Sequence, residues 1–186
     1  SVTFSCAEHE ETINEKPQNT YITRAIEAND ARAYINLQEE LFAQSSFGYY
    51  APEERNLTVQ QVRKTITDWR KEKTSTVLLC IYNGQFAGYV KILGNTASRT
   101  KHIASVRIAI QRDFQQKGLA TVLLKEAEKW ARINAISRLE ASITTTNTNA
   151  QQLFDKLNYS KEGTRAQAIK IDEQFVDELL YSKILV

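Results

Sequence analysis

The chain has 186 residues, enough for one domain with a sizeable core, and its 24 Lys and Arg against 22 Asp and Glu leave a formal charge of +2. That near-balance argues against nucleic acid and membrane surfaces as partners and in favour of small ones. Two cysteines, Cys6 and Cys80, do not make a disulfide framework, no apolar stretch approaches the about 18 residues that cross a bilayer, and no signal-peptide core opens the sequence, so a reducing cytoplasm is the expected setting.

Residues 1–19 are polar and Glu-rich around Pro17, and read as an N-terminal arm whose Val2-Thr3-Phe4 patch is its one strand-like piece; residues 20–186 read as a single domain. Residues 21–26 alternate as a first strand. A helix follows, capped by Asn29 or Asp30, with Ala31, Tyr34, Ile35, Leu41 and Phe42 along one face. Residues 45–52 form a loop by their Gly, Pro and Ser content, yet they carry Phe47, Tyr49 and Tyr50. These rings either wall a binding pocket, with Tyr49 and Tyr50 against an acceptor, or plug one end of the core, and the sequence leaves both readings open. Thr58 and Gln61 make a capping box for a second helix with Val59, Val62, Ile66 and Trp69 as its stripe.

Residues 77–82 and 86–93 flank Asn83-Gly84, the pair that a type I′ turn requires, and so predict a hairpin of central strands. Residues 102–110 return as a strand with Ala104, Val106, Ile108 and Ile110 on one face. A third helix, from about Gly118, buries Leu119, Val122, Leu123, Ala127, Trp130 and Ala131. Residues 138–144 alternate Leu139, Ala141 and Ile143 against Glu140, Ser142 and Thr144, and Asn147 caps a short helix carrying Ala150, Leu153, Phe154 and Leu157. Two closing strands, residues 159–171 and 175–185, are separated by the turn at Asp172-Glu173. The alternation of strands and helices predicts an α/β domain, a mixed sheet with helices on both faces.

Between the strand ending at Ile110 and the third helix lies Gln115-Gln116-Lys117-Gly118-Leu119-Ala120. The first turn of a helix leaves N–H groups without intrahelical partners, Gly118 and Ala120 allow a ligand close to the main chain, and Lys117 adds positive charge, so the stretch reads as an anion cradle. Neither Gly-x-Gly-x-x-Gly nor a Gly-Lys-Ser/Thr ending is present, and a strand-to-helix turn with no ligand accounts for the same residues.

Gln115-x-x-Gly118-x-Ala120 resembles the Arg/Gln-x-x-Gly-x-Gly/Ala signature of the GNAT superfamily of acyl-CoA-dependent N-acetyltransferases. Downstream, Asn147-x-x-Ala150-x-x-Leu153-Phe154-x-Lys156-x-Asn158-Tyr159 is similar to the family's second segment, and Glu162-Gly163-Thr164-Arg165 before a hairpin is similar too. The resemblance covers roughly residues 75–186 and implies a GNAT-like, mostly antiparallel central sheet with one parallel, splayed strand pair. It further implies acetyl-CoA as cofactor. Main-chain groups of Ile108 and Ile110, with Ala109 between them, would meet the pantetheine arm, and the Ile110 N–H would face the thioester oxygen. Gln115, Gln116, Lys117, Gly118, Leu119, Ala120 and Thr121 would surround the pyrophosphate, Asn147 would bond a pantetheine amide, and Lys156 would reach the adenosine end.

Two departures follow from the same comparison. Phe154 stands where the family often has a tyrosine that protonates the departing thiolate, leaving Phe154 to pack on the cofactor and Tyr49, Tyr50 or Tyr181 as alternative acids. Ser105 and Arg107 occupy strand positions where some members place a glutamate base, so Glu140 on the neighbouring strand is the best-placed carboxylate, with a water relay as the alternative. His9 and His102 read as solvated. The implied function is acetyl transfer to a primary amine, of a small molecule or a protein, directly within a ternary complex. The alternative is an acyl-CoA-binding sensor without turnover, motivated by Phe154. No metal site is expected, and the chain is read as a monomer or a homodimer.

Overall fold

The computed structural model describes residues 20–44 and 57–186. The N-terminal arm and the aromatic loop with Tyr49 and Tyr50 lie outside the described residues.

Strand β1 (Tyr21–Ala25) runs into a 3-10 turn at Ala28–Asp30 that continues as helix α1 (Ala31–Gln44). Capping therefore starts one turn earlier than the sequence suggests: Glu27 is the cap residue, and Asp30 reaches back so that its Oδ2 accepts the Glu27 N–H at 2.8 Å. Arg24 donates to both oxygens of the same carboxylate, at 2.7 and 2.9 Å, tying β1 to the helix start. Helix α2 (Val59–Glu72) has the expected Thr58–Gln61 capping box and closes on Lys73 in the left-handed conformation. Strands β2 (Thr76–Tyr82) and β3 (Gln85–Gly94) form the predicted hairpin, with Asn83 and Gly84 at φ 48° and 80°.

Strand β4 (Ile103–Ile110), helix α3 (Leu119–Ile133), strand β5 (Arg138–Thr144) and helix α4 (Thr148–Lys156) follow, and the chain closes with β6 (Ser160–Ile171) and β7 (Gln174–Ile184). Among the described residues, seven strands make one sheet in the order β1-β2-β3-β4-β5-β7-β6, antiparallel except for the parallel pair β4–β5. The closing hairpin is inserted so that β7 pairs with β5 and β6 is left at the edge.

Alternation along the strands sorts the core into two layers. Leu139, Ala141 and Ile143 of β5 and Ala104 and Val106 of β4 pack on one face with Leu123, Leu124 and Ala127 of α3 and Phe154 of α4. On the other face Val77, Leu79 and Tyr89 of β2 and β3 pack with Tyr34, Ile35 and Leu41 of α1 and Val62 and Ile66 of α2. The α3 stripe also contains a member that periodicity alone does not mark as core: Glu128 is buried, and Lys183 of β7 donates to it at 2.7 Å. Cys80 is fully buried, and burial pushes its thiol pKa up. Among the described residues no helix is long and apolar enough to cross a membrane.

The Arg24 hydrogen bond holds the Asp30 pKa below the ordinary carboxylate value. A group with a depressed folded pKa stabilises the fold fully above its unfolded pKa, about 4, and loses that contribution as pH falls through the lower folded value. Asp30→Asn is thus expected to cost about 1 kcal/mol at neutral pH, Arg24 being partly solvated, and almost nothing in strong acid. Urea melts of both proteins between neutral pH and pH 2 check this.

Candidate active site

Strands β4 and β5 pair only at Ile103 with Arg138, Ala104 with Leu139 and Ser105 with Glu140. Beyond Ser105, β4 remains in register with β3 as far as Ile110 opposite Gly88, and β5 remains in register with β7 as far as Thr144 opposite Glu178. The two strands therefore separate, each held by its other neighbour. A cleft of about 670 Å³ occupies the gap, a size ordinary for a small-ligand site. Its walls include β4 from Val106 to Ile110, β5 from Ala141 to Thr144, the start of α3, and Asn147, Ala150, Leu153 and Phe154 near α4.

Main-chain polarity in the gap follows from alternation. Gln111 N–H donates across to Ala87 O of β3 at 2.8 Å, so Ala109 also turns its main-chain groups towards β3, while Ile108 and Ile110 turn theirs into the gap. The Ile110 carbonyl accepts Gln115 Nε2 at 3.1 Å, which fastens the loop to the strand end. The Ile110 N–H points the same way as that carbonyl, into the cleft.

The loop then reverses through Gln116 at φ 63° and Gly118 at φ 75° to open α3. The first α-type bond of this helix joins Val122 N–H to Gly118 O at 3.2 Å, so the N–H groups of Leu119, Ala120 and Thr121 have no intrahelical acceptor. A Cβ built on Gly118 meets nothing within 4 Å, so a ligand can come directly onto the backbone. The α3 dipole adds partial positive charge at the same point. These features fit a pyrophosphate.

Asn147 lies on the cleft wall, and its Oδ1 caps α4 by accepting Ala150 N–H at 3.2 Å, leaving its Nδ2 end as the donor it can offer a ligand. Phe154 is buried on the same wall with its ring against Tyr159 and Tyr181, at centroid distances of 4.7 and 6.0 Å.

The cleft thus brings together Ile108, Ala109, Ile110, Gln115, Gln116, Gly118, Leu119, Ala120, Thr121, Asn147 and Phe154. Four residues singled out in the sequence stand elsewhere. Lys117 places its ammonium 5.3 Å over the Tyr82 ring. Lys156 lines a separate recess of about 340 Å³ with Thr121, Lys125 and Lys183, which continues from the start of α3. Glu140 sits where β4 and β5 are still paired, and its Oε1 accepts Arg138 Nε at 2.9 Å. Tyr181 is buried behind Phe154 and is absent from the cleft walls, and burial pushes its phenol pKa up.

Two groups that the sequence reading passed over line the cleft instead, Tyr89 of β3 and Glu178 of β7. Tyr89 is opposite Ala109, and its ring meets Tyr34 edge-on at 5.3 Å. Glu178 is 1% exposed. Only the pairing of β5 with β7 brings Glu178 here, and that pairing has no local sequence signal.

A splayed parallel pair, an anion cradle at the following helix and a buried segment opening with Asn147 together match a known architecture. The description of the Acetyltransferase (GNAT) family matches residues 35–159. The chain belongs to this family. A GNAT-family acetyltransferase structure from Streptococcus pneumoniae superposes with a TM-score of 0.85 at 26% identity, over 89% of this chain and 99% of that one. A structure from Salmonella typhimurium that contains its cofactor acetyl-CoA superposes with a TM-score of 0.80 at 16% identity, over 90% and 95% of the two chains. The L-amino acid N-acetyltransferase of Escherichia coli strain K12 is 22% identical over 111 residues, 58% of this chain and 67% of that protein. The protein is accordingly a GNAT acyltransferase, and acetyl-CoA is the acetyl donor of GNAT enzymes.

Two glycines carry expectations for this GNAT site. Gly118→Glu puts a carboxylate into the cradle and should weaken acetyl-CoA binding by about a hundredfold or more, whereas Gly118→Ala should cost about 1 kcal/mol of stability from its positive φ and little affinity. Calorimetric titration with acetyl-CoA and thermal melts separate the two effects. A Cβ on Gly88 would overlap the Ala109 carbonyl and Ile110. Gly88→Ala should therefore displace the end of β4, costing about 1–3 kcal/mol and lowering kcat more than it raises KM for acetyl-CoA, as read from melts and initial rates.

Proposed function

We propose that the chain transfers the acetyl group of acetyl-CoA to the primary amine of a small molecule by direct transfer within a ternary complex. The observation that carries this reading is the passage of one cleft between β4 and β5, with walls from both faces of the sheet. Gly118 to Thr121 and Phe154 approach it from the α3 and α4 face, and Tyr89, Thr144 and Glu178 from the other. A donor gripped at the α3 cradle and an amine entering from the opposite face meet at the end of β4 without an acyl-enzyme intermediate. The printed name of the Escherichia coli relative, an L-amino acid N-acetyltransferase, directs the proposal to a compact amine of the amino-acid kind.

In this reading the chain's own contribution is positioning and polarisation. The Ile110 N–H, fixed by β4, donates to the acyl oxygen as negative charge gathers there, and the cradle fixes the far end of the donor, so the reacting carbon is held in one place. Phe154 gives an apolar floor. A thiol is acidic enough to depart as thiolate and collect a proton from water, so no phenol is required on that wall.

The test is one sample in two steps. Calorimetry should show acetyl-CoA binding, and addition of a panel of amines containing amino acids should then release free thiol in proportion to acceptor. Binding with no thiol release across the panel would overturn the transferase reading in favour of a sensor.

A further inference from the structure

The proposed transfer needs a group that receives the acceptor's proton, and the geometry points to Glu178. Parallel strands advance together, so the last pair, Ser105 with Glu140, sets the levels beyond it: Ala109 is four residues above Ser105, and Thr144 is four above Glu140. Thr144 is opposite Glu178. The carboxylate therefore stands across the gap at the height of Ala109 and Ile110, where the Ile110 N–H enters the cleft.

Its face is the acceptor's face. Tyr181 of β7 packs on Phe154 of α4, and Lys183 bonds Glu128 of α3, so the odd positions of β7 face those helices and Glu178 faces away from them. The side chain is 2% exposed and lines the cleft, while Arg165, its cross-strand neighbour on β6, approaches from solvent at 57% exposure and donates from Nη1 to Oε1 at 3.0 Å. The Arg165 bond fixes one oxygen, and the four lone-pair sites of a carboxylate let it accept from more than one donor at a time. Glu140, by contrast, lies in the last paired rung of β4 and β5, short of the cleft, and Asp177 accepts the Gln167 N–H of β6.

We propose that Glu178 is a catalytic residue that docks the acceptor's ammonium and takes a proton from its nitrogen; this rests on the transferase reading above. The carboxylate first takes one proton from the docked ammonium and passes it to water, leaving a neutral amine whose lone pair forms the nitrogen–carbon bond as the carbon–sulfur bond breaks. Sulfur leaves with the bonding pair, and the nitrogen, made acidic by the new bond, gives its second proton to the carboxylate. The protonated carboxyl then returns that proton to water. Arg165 is a positioning residue that keeps the carboxylate aimed.

The experiment compares wild type, Glu178→Gln, Glu178→Asp and Arg165→Gln with an alkyl amino acid and with hydrazine, a weakly basic acceptor, in an assay held above the pKa of hydrazinium, where hydrazine is largely neutral and the amino acid is still an ammonium. Glu178→Gln should lower kcat/KM for the amino acid by about 10²–10³-fold, by about tenfold or less for hydrazine, and leave acetyl-CoA affinity by calorimetry unchanged. Glu178→Asp should recover part of the loss, and Arg165→Gln should be much milder than Glu178→Gln. Equal losses in Glu178→Gln and Arg165→Gln, with weakened acetyl-CoA binding, would show the pair to be structural and overturn the assignment. Unchanged turnover in Glu178→Gln overturns Glu178 and leaves the transferase intact, whereas a wild-type protein that consumes no thioester with any amine overturns both.

Discussion

The site exists because two parallel strands stop pairing after three residues. A strand cannot leave its neighbour at no cost, since buried N–H and C=O groups demand partners. Here each strand is retained by antiparallel pairing on its far side, β4 by β3 up to Ile110 and β5 by β7 up to Thr144, so the gap cannot close without breaking one of those ladders. The unpaired edge of β4 is thereby kept as a row of main-chain groups for a ligand to satisfy. An extended amide-bearing arm matches that demand.

Everything around the gap contributes to holding it in one shape. The Gln115 side chain bonds the last carbonyl of β4, while Gln44 at the end of α1 accepts the Arg112 N–H at 3.0 Å, so the loop into α3 is tied to both faces of the molecule. Gly88 lets β3 pass close beneath Ala109 and Ile110. The α3 stripe from Leu119 to Ala131 is buried against the sheet, which fixes the helix axis and with it the direction of the N-terminal N–H groups. Rigid backbone, rather than long charged side chains, makes the cradle: Lys117 spends its charge over Tyr82, and Lys156 lines a different recess.

Much of this was legible in the sequence because it is local. The hairpin at Asn83-Gly84, the Thr58–Gln61 box, the Asn147 cap and the turn into α3 each depend on residues within a few positions of one another, and each is present where their chemistry calls for it. The loop from Gln115 and the segment from Asn147 also carried the family resemblance, and through it the parallel pair. What was not legible is set by strand order. Glu140 looked well placed because it lies on the right strand, yet it falls in the last pair before the splay, whereas Glu178 arrives from 34 residues beyond Thr144 by a pairing that no short pattern encodes. Tyr89 reaches the cleft in the same way, opposite Ala109 across β3 and β4. The start of α1 shows the smaller version, where Asp30 serves the turn before the helix and Glu27 takes the cap.

The central claim is that the unpaired edge of β4 receives the donor's arm, and amide hydrogen exchange at single-residue resolution tests it most directly. On adding acetyl-CoA, the amides of Ile108 and Ile110 should exchange markedly more slowly, while Ala109, which faces β3, should change little. Equal protection of all three, or none at Ile108 and Ile110 despite saturating acetyl-CoA, would contradict the account.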